Sequence, residues 1–360
     1  TLVEMIDLPG RQLSFEQALP YMLDFKVDKE DSTSIPFTTD RSLSASDRLT
    51  LAYSLFTTGE TYTSLAAAVA AVQSNQILEL LETATYISEK VNIAIANVTL
   101  RAASGKTPTL DGGGGKKNEY CLRVGANGIR VSGITFINAG NYAVKVENAS
   151  DVIMSNLACN GWFGNNGIYA VSAPRLSLMN ITFEGCGAAG ISINSSASVT
   201  ATGLTATNIN KNSCQNAIEI VNCTGAALSS LNVGTNWGDV ILVSGSPQTS
   251  LSNVTISGGA NGIKVTNSPG TTIATCTTSG TWGDVIVLTN SPANLSNLTL
   301  SGGDKGLNIN NCPGTTVTTC STSGLWGKDI YVRDTAGFTF TGGTVRAAAT
   351  GIDLDNVSGA

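Results

Sequence analysis

From Ile129 onward the chain is a tandem array of short alternating segments, and this narrows the accessible folds more than any other feature. Ile129-Arg130-Val131, Ile134-Thr135-Phe136 and Tyr142-Ala143-Val144-Lys145-Val146 open the array. Segments 167–171, 190–193, 217–220, 239–243, 262–265, 284–288, 306–309 and 329–332 continue it at intervals of 22 to 27 residues. Each alternates apolar and polar residues, so alternate side chains of the extended chain enter a narrow core. A segment this short cannot bury its apolar face alone, but stacking on copies of itself does so.

A longer period of two segments is superimposed. Trp237, Trp282 and Trp326 are 45 and 44 residues apart, within NWGDVILVSGSP, TWGDVIVLTNSP and LWGKDIYVRDT. The duplicated unit covers about 234–333. Glycine is abundant at 39 residues, and only 13% of residues are charged, against roughly 25% in ordinary domains. Glycine and asparagine tolerate positive φ, which suits many short strands joined by tight turns. The chain is therefore expected to be all-β, a right-handed parallel β-helix solenoid with regular coils over 117–360. Each coil adds one rung at roughly 4.8 Å.

The start of the solenoid is also marked. Ser64-Leu65-Ala66-Ala67-Ala68-Val69-Ala70-Ala71-Val72 predicts a short apolar helix with Ser64 as N-cap. Strand-like Gln76-Ile77-Leu78-Glu79-Leu80, Ala84-Thr85-Tyr86-Ile87, Val91-Asn92-Ile93 and Asn97-Val98-Thr99-Leu100-Arg101-Ala102 follow. This succession resembles the opening coil of the pectin-lyase-like superfamily, in which a helix caps the barrel end. A first coil exposes a sheet edge and an open core, and both need cover. Cap and first coils take up 57–116. Residues 1–56 form an N-terminal extension, read as an attachment or packing segment. It carries helix-like stretches at 14–19, where Ser14 and Gln17 have capping-box spacing, and at 46–56, with a polar linker containing Pro36 between them. The last strand-like stretch reaches Gly359-Ala360 without a cap, so a neighbour or further sequence is expected to cover it.

The resemblance implies proteins acting on acidic polysaccharides as lyases, hydrolases, esterases or epimerases. The catalytic wording of those families does not follow. The clustered aspartates, histidine and Arg-Ile-Lys segment of polygalacturonases are absent, as is the Tyr-Gly-x-Asp-Pro-His segment of alginate epimerases. The chain has no histidine, which excludes Ser-His-Asp triads and Cys-His dyads. No catalytic residue is assigned. A net charge of −6 without a basic tract argues against nucleic acid and against an anionic membrane. No apolar run approaches the roughly 18 residues of a spanning helix, so no membrane insertion is expected. No CxxC pair occurs among the eight cysteines, and no metal or other cofactor is expected.

Cys186 and Cys214 precede Ile191 and Ile218 of adjacent coils by five and four residues, which makes them the one candidate disulfide. The competing reading makes all eight cysteines small buried apolar side chains. Sequons at Asn97, Asn180, Asn253 and Asn297 are read chiefly as turn asparagines whose side chains stack in hydrogen-bonded ladders.

The strongest surface feature is the Trp row, each member followed by an acid: Asp239, Asp284 and Asp329. Residues at one coil position stack in a line, so the tryptophans recur at roughly 9.6 Å, close to the length of a disaccharide. Aromatic faces stack on sugar rings, and nearby carboxylates accept hydroxyl hydrogen bonds. The candidate carbohydrate-binding residues are thus Trp237, Asp239, Trp282, Asp284, Trp326 and Asp329. A second reading has each Trp fold over a turn to cover the core, with the Asp capping backbone amides. In a third, Asp239 and Asp284 form a carboxylate pair at the upper end of the roughly 6.5–9.5 Å of inverting glycosidases.

Together these features point to an extracellular, cell-surface or virion-surface β-helix of the stalk, spike, fibre, adhesin or tailspike kind. A polysaccharide or cell-surface glycan is the expected partner, with self-association into a homo-oligomer, filament or spike. The alternative is a polysaccharide lyase or glycoside hydrolase acting on an extended glycan.

Overall fold

The computed structural model describes residues 51–53 and 61–359, apart from 63, 88–89, 114–118, 162, 207–214, 234–237 and 347–348. The chain divides into two compact units, 1–43 and 44–360. The second unit carries the solenoid; the helix-like stretch at 14–19 lies outside the described residues.

The capping helix forms as the sequence predicts. Helix α1 (Leu65–Ala71) starts at Ser64, whose hydroxyl accepts the Ala67 amide at 3.1 Å. That satisfies one of the donors a helix start leaves open. Leu65, Ala68 and Val72 are buried in the same core as the coils that follow. Of the stretch at 46–56 only residues 51–53 are described, and they depart from its helical spacing. Leu51–Tyr53 is a strand, paired antiparallel with Thr61–Tyr62 and with Ile77–Leu80. The edge of the first coil offers a row of unpaired backbone groups, and ladder bonds to it outweigh the marginal stability of a short helix.

Beyond this edge every strand pairing among the described residues is parallel, coil upon coil. One wall is a twelve-stranded sheet running from Val91–Ile93 to Thr350–Asp355, and an eighteen-stranded sheet supplies the rest of the wall. The alternation read from the sequence becomes straight columns. Val144, Ile168, Ile191, Ile218, Ile241, Ile263, Ile286, Leu307 and Ile330 stand in one register position of the twelve-stranded sheet. All nine are fully buried. Each contributes at most about 1.5–3 kcal/mol by leaving water, and together they lock the coil phase.

Turns repeat as faithfully as strands. Asn222, Gly245, Asn267, Asn290, Asn311 and Asp334 all adopt left-handed backbone, with φ between 49° and 57°. An asparagine ladder forms here, among residues other than Asn97, Asn180, Asn253 and Asn297: Asn290 Nδ2 donates to Asn267 Oδ1 at 3.0 Å, and Asn311 Nδ2 to Asn290 Oδ1 at 2.8 Å. Sequon residues Asn180, Asn253 and Asn297 are also left-handed, with φ of 53°, 53° and 52°, and bend the eight- and nine-residue strands that contain them. Asparagine takes this conformation more readily than other non-glycine residues.

A buried polar ladder runs beside the asparagines. The Ala173, Ser196, Cys223, Ser246, Ser268, Ser291 and Cys312 amides donate in turn to the side chains of Ser196, Cys223, Ser246, Ser268, Ser291, Cys312 and Thr335. Most of these side chains donate back to the carbonyl two residues earlier, as Ser246 does to Ser244 at 2.9 Å and Cys312 to Asn310 at 3.1 Å. Cys223 and Cys312 therefore stand where hydroxyl residues stand elsewhere. This corrects the reading of every cysteine as an apolar filler: at these two coils a thiol satisfies buried amides.

Candidate functional site

Trp282 and Trp326 sit at the turns that lead into the twelve-stranded sheet. The Trp282 amide donates to Gly259 O at 3.1 Å and the Trp326 amide to Gly303 O at 3.2 Å, so the two tryptophans share one ladder position with glycine in the coil between. Gly303 has φ of 89°, and a Cβ there would lie 2.5 Å from Gly283 O and 2.8 Å from Thr281 Oγ1. The intervening coil thus cannot carry a side chain at this position. Trp282 is 50% exposed and Trp326 58% exposed. That exposure speaks against their folding over the turn to seal the core. Trp237 lies outside the described residues.

The carboxylates separate into two kinds. Asp239 is paired with Asn261, and Asp284 lies two residues before the pair Ile263–Ile286, so the column reads Asp239, Asn261, Asp284, Lys305, Lys328. Asp239 accepts from Asn261 Nδ2 at 2.6 Å and meets Lys264 Nζ at 3.3 Å. Asp284 accepts from Asn308 Nδ2 at 2.6 Å and Lys305 Nζ at 3.1 Å, and Lys305 also holds Asp304 at 2.8 Å. Both side chains are only 15% exposed, and all four of their oxygens are engaged. As a glycosidase pair they have the expected two-coil separation. Each is nevertheless fixed by a cation and an amide, and neither stands in the apolar setting that prepares a carboxyl to act as an acid. Burial alone would lower the Lys305 amine. Its hydrogen bonds to Asp304 and Asp284 reverse this and raise it above its ordinary value, so it stays charged.

Asp329 does not belong to the row. Lys328 pairs with Lys305, which places Asp329 one residue later, in the inward column of Val240, Gly262, Val285 and Gly306. It is 1% exposed, and neither carboxylate oxygen has a hydrogen-bond partner among the described residues. The spacing from Trp to the buried isoleucine is the same in all three repeats, Trp237 to Ile241, Trp282 to Ile286 and Trp326 to Ile330, but Lys328 stands where Asp239 and Asp284 stand and the acid comes one residue later. Trp326, Ile330 and Val332 all keep their register, so an acid placed one residue later along the strand necessarily faces the core. Lys328 takes the outward place, paired with Asp353 and 4.2 Å from the centre of the Tyr331 ring.

Sequence reasoning misses the residues that bind Asp239 and Asp284, namely Asn261, Lys264 and Asn308. Only adding one coil length to each acid would find them. On the same sheet nearer the cap, Tyr142 stacks on Tyr169 with centroids 5.1 Å apart, and Lys145 lies 5.5 Å from the Tyr142 ring. Phe163 is fully buried, so the turn it occupies is filled by an aromatic side chain; Trp162 lies outside the described residues.

Cys186 is disulfide-bonded, and Cys121, Cys159, Cys223, Cys276, Cys312 and Cys320 are free and buried. Burial pushes the Cys121, Cys276 and Cys320 thiols up to about 12 and raises Cys159 as well, which leaves them unreactive. Cys214 lies outside the described residues; we propose it as the partner of Cys186. Thiol titration of the unreduced, denatured protein is then expected to find six reactive groups, and detection of all eight cysteines would exclude the bridge.

A family model for the right-handed β-helix region matches residues 189–297 and 239–360. No curated protein is significantly similar in sequence. Among the solved structures that share the fold are the following three. The Streptococcus pneumoniae surface protein and adhesin PfbA is 12% identical, with 81% of this chain and 94% of that chain covered at a TM-score of 0.58. A family 28 exopolygalacturonase of Yersinia enterocolitica is 10% identical, with 82% and 74% covered at 0.53. A PL6 alginate lyase is 12% identical, with 81% and 83% covered at 0.53. Identities this low speak for the fold and not for a shared activity. Parallel coils, the capping helix, the family-model match over 189–360 and these folds show a right-handed parallel β-helix, the fold that the resemblance at the first coil implies.

Proposed function

We propose that this chain is a cell- or virion-surface β-helix of the adhesive type that binds an extended polysaccharide along the Trp282–Trp326 strip. The observation that carries the proposal is the pair of half-exposed tryptophans held at one ladder position two coils apart, above a row of carboxylates and amides. Exposed indole surface is unfavourable in water and stacks well on the C–H faces of sugars, while the polar row is suited to their hydroxyls. The adhesin among the solved structures of this fold is consistent with such a role. A lyase or hydrolase reading finds less support. Asp239 and Asp284 are each held by a Lys and an Asn, and Lys305 is held charged rather than free to take a proton.

The test is affinity electrophoresis through gels containing a panel of neutral and acidic polysaccharides, with product analysis for unsaturated and reducing ends. Trp282→Ala together with Trp326→Ala is expected to weaken retention by more than tenfold. Thermal stability should change little, because both rings are largely solvated already. Chain cleavage by the unaltered protein, or retention indifferent to both substitutions, would contradict the proposal.

A further inference from the structure

We infer that the strip is built for a neutral polysaccharide and discriminates against uronate polymers; this inference rests on the glycan-binding reading above. Recognition of a sugar carboxylate needs a cation free to make charge-assisted hydrogen bonds. On the strands that carry the strip, between Asp239 and Asp355, every cation is already committed. Lys264 is paired with Asp239, Lys305 with Asp284 and Asp304, Lys328 with Asp353, and Arg333 with Asp334 and Asp355. Six carboxylates (Asp239, Asp284, Asp304, Asp334, Asp353 and Asp355) therefore face four cations. Counting Arg346, in the turn before the last strand, the acids still lead six to five. Asp329 is left out of this balance because it is buried and points inward.

A polymer with one negative charge per residue would meet a strip that is itself negative, on a chain of net charge −6. It would have to break an existing ion pair to bind its carboxylates. A neutral polymer meets exposed indoles, and its hydroxyls meet the rims of carboxylates and amides that accept hydrogen bonds without changing partners. Repulsion between partly exposed charges is screened over about 8 Å at physiological ionic strength and about 3 Å at 1 M salt. Discrimination against anionic polymers should therefore shrink as salt is added.

The experiment compares polygalacturonate and alginate with a panel of neutral glucans, mannans and galactans, at low and at high salt. It uses the full chain and the Trp282→Ala, Trp326→Ala double variant. At least one neutral polymer is expected to be retained tenfold or more above both anionic ones at low salt, in a manner lost in the double variant. Asp353→Asn, which releases Lys328, is expected to raise retention by the anionic polymers several-fold. Trp-dependent binding in which an anionic polymer equals or exceeds every neutral one would overturn this inference and leave the glycan-binding reading standing. Absence of any Trp-dependent binding would overturn both.

Discussion

Asp329→Val is expected to stabilise the protein by about 2–4 kcal/mol, read as a higher denaturation midpoint, although it changes a single residue that no ligand would touch. Asp329 occupies an interior column whose other members include Val240 and Val285, both fully buried. Its two oxygens have lost water and gained no hydrogen bond among the described residues. Such a group destabilises the fold whether it is ionised or neutral, because the desolvation cost is not offset. Valine is close to aspartate in size, so the substitution removes the polar atoms without leaving a cavity or forcing the neighbouring coils apart. Asp329→Asn serves as the control. It removes the charge but keeps two unsatisfied polar groups, and should recover only part of the gain. A midpoint unchanged or lowered in the valine variant would show that the carboxyl is satisfied in solution.

Gly190→Val is expected to act in the opposite direction, destabilising the protein by about 3–5 kcal/mol or abolishing folding outright. A Cβ at Gly190 would lie 2.6 Å from Phe183 Cδ2 and 2.7 Å from Ala217 O, so both an aromatic ring and the backbone of the next coil must move. Phe183 is buried against this position, filling the space the glycine leaves. Because each coil contacts only its neighbours, a displaced backbone here uncouples the coils on either side. Limited proteolysis should then cut near residue 190 before elsewhere. Phe183→Leu in the same chain should restore part of the lost stability, which separates a local clash from a general intolerance of the site. Gly225 supplies the contrast. It has φ of 67° with open space around it, so Gly225→Asn should be nearly neutral, as asparagine tolerates that conformation. Equal effects at the two glycines would contradict the packing account.

Much of the fold is legible in the order of residues alone. The alternation in Gly262-Ile263-Lys264-Val265 and its counterparts states which side chains face inward, because a strand has a period of two. Asparagines at turns announce left-handed rows, and Ser64 announces the helix start. The regular spacing of Trp282 and Trp326 puts them at one ladder position. Asp329 is misplaced when the repeats are aligned on their acids, because it follows its tryptophan by three residues where Asp239 and Asp284 follow theirs by two. Trp326, Ile330 and Val332 hold the register of the earlier repeats, so the acid alone changes face. Local helical spacing at Leu51-Ala52-Tyr53 is overruled by an unpaired sheet edge supplied by residues 77–80.

The solenoid, its cap, its coil length, its inward and outward faces and the two-coil recurrence of tryptophan all follow from local periodicity, which each coil carries within its own residues. Contacts from one coil to the next do not. That Lys264 and Asn261 hold Asp239, that Lys305 and Asn308 hold Asp284, and that Asp329 is buried without a hydrogen-bond partner among the described residues emerge only once the coils are stacked. Such contacts depend on register between segments some 22 residues apart, and a shift of one position along a strand moves a side chain from the solvent face to the core.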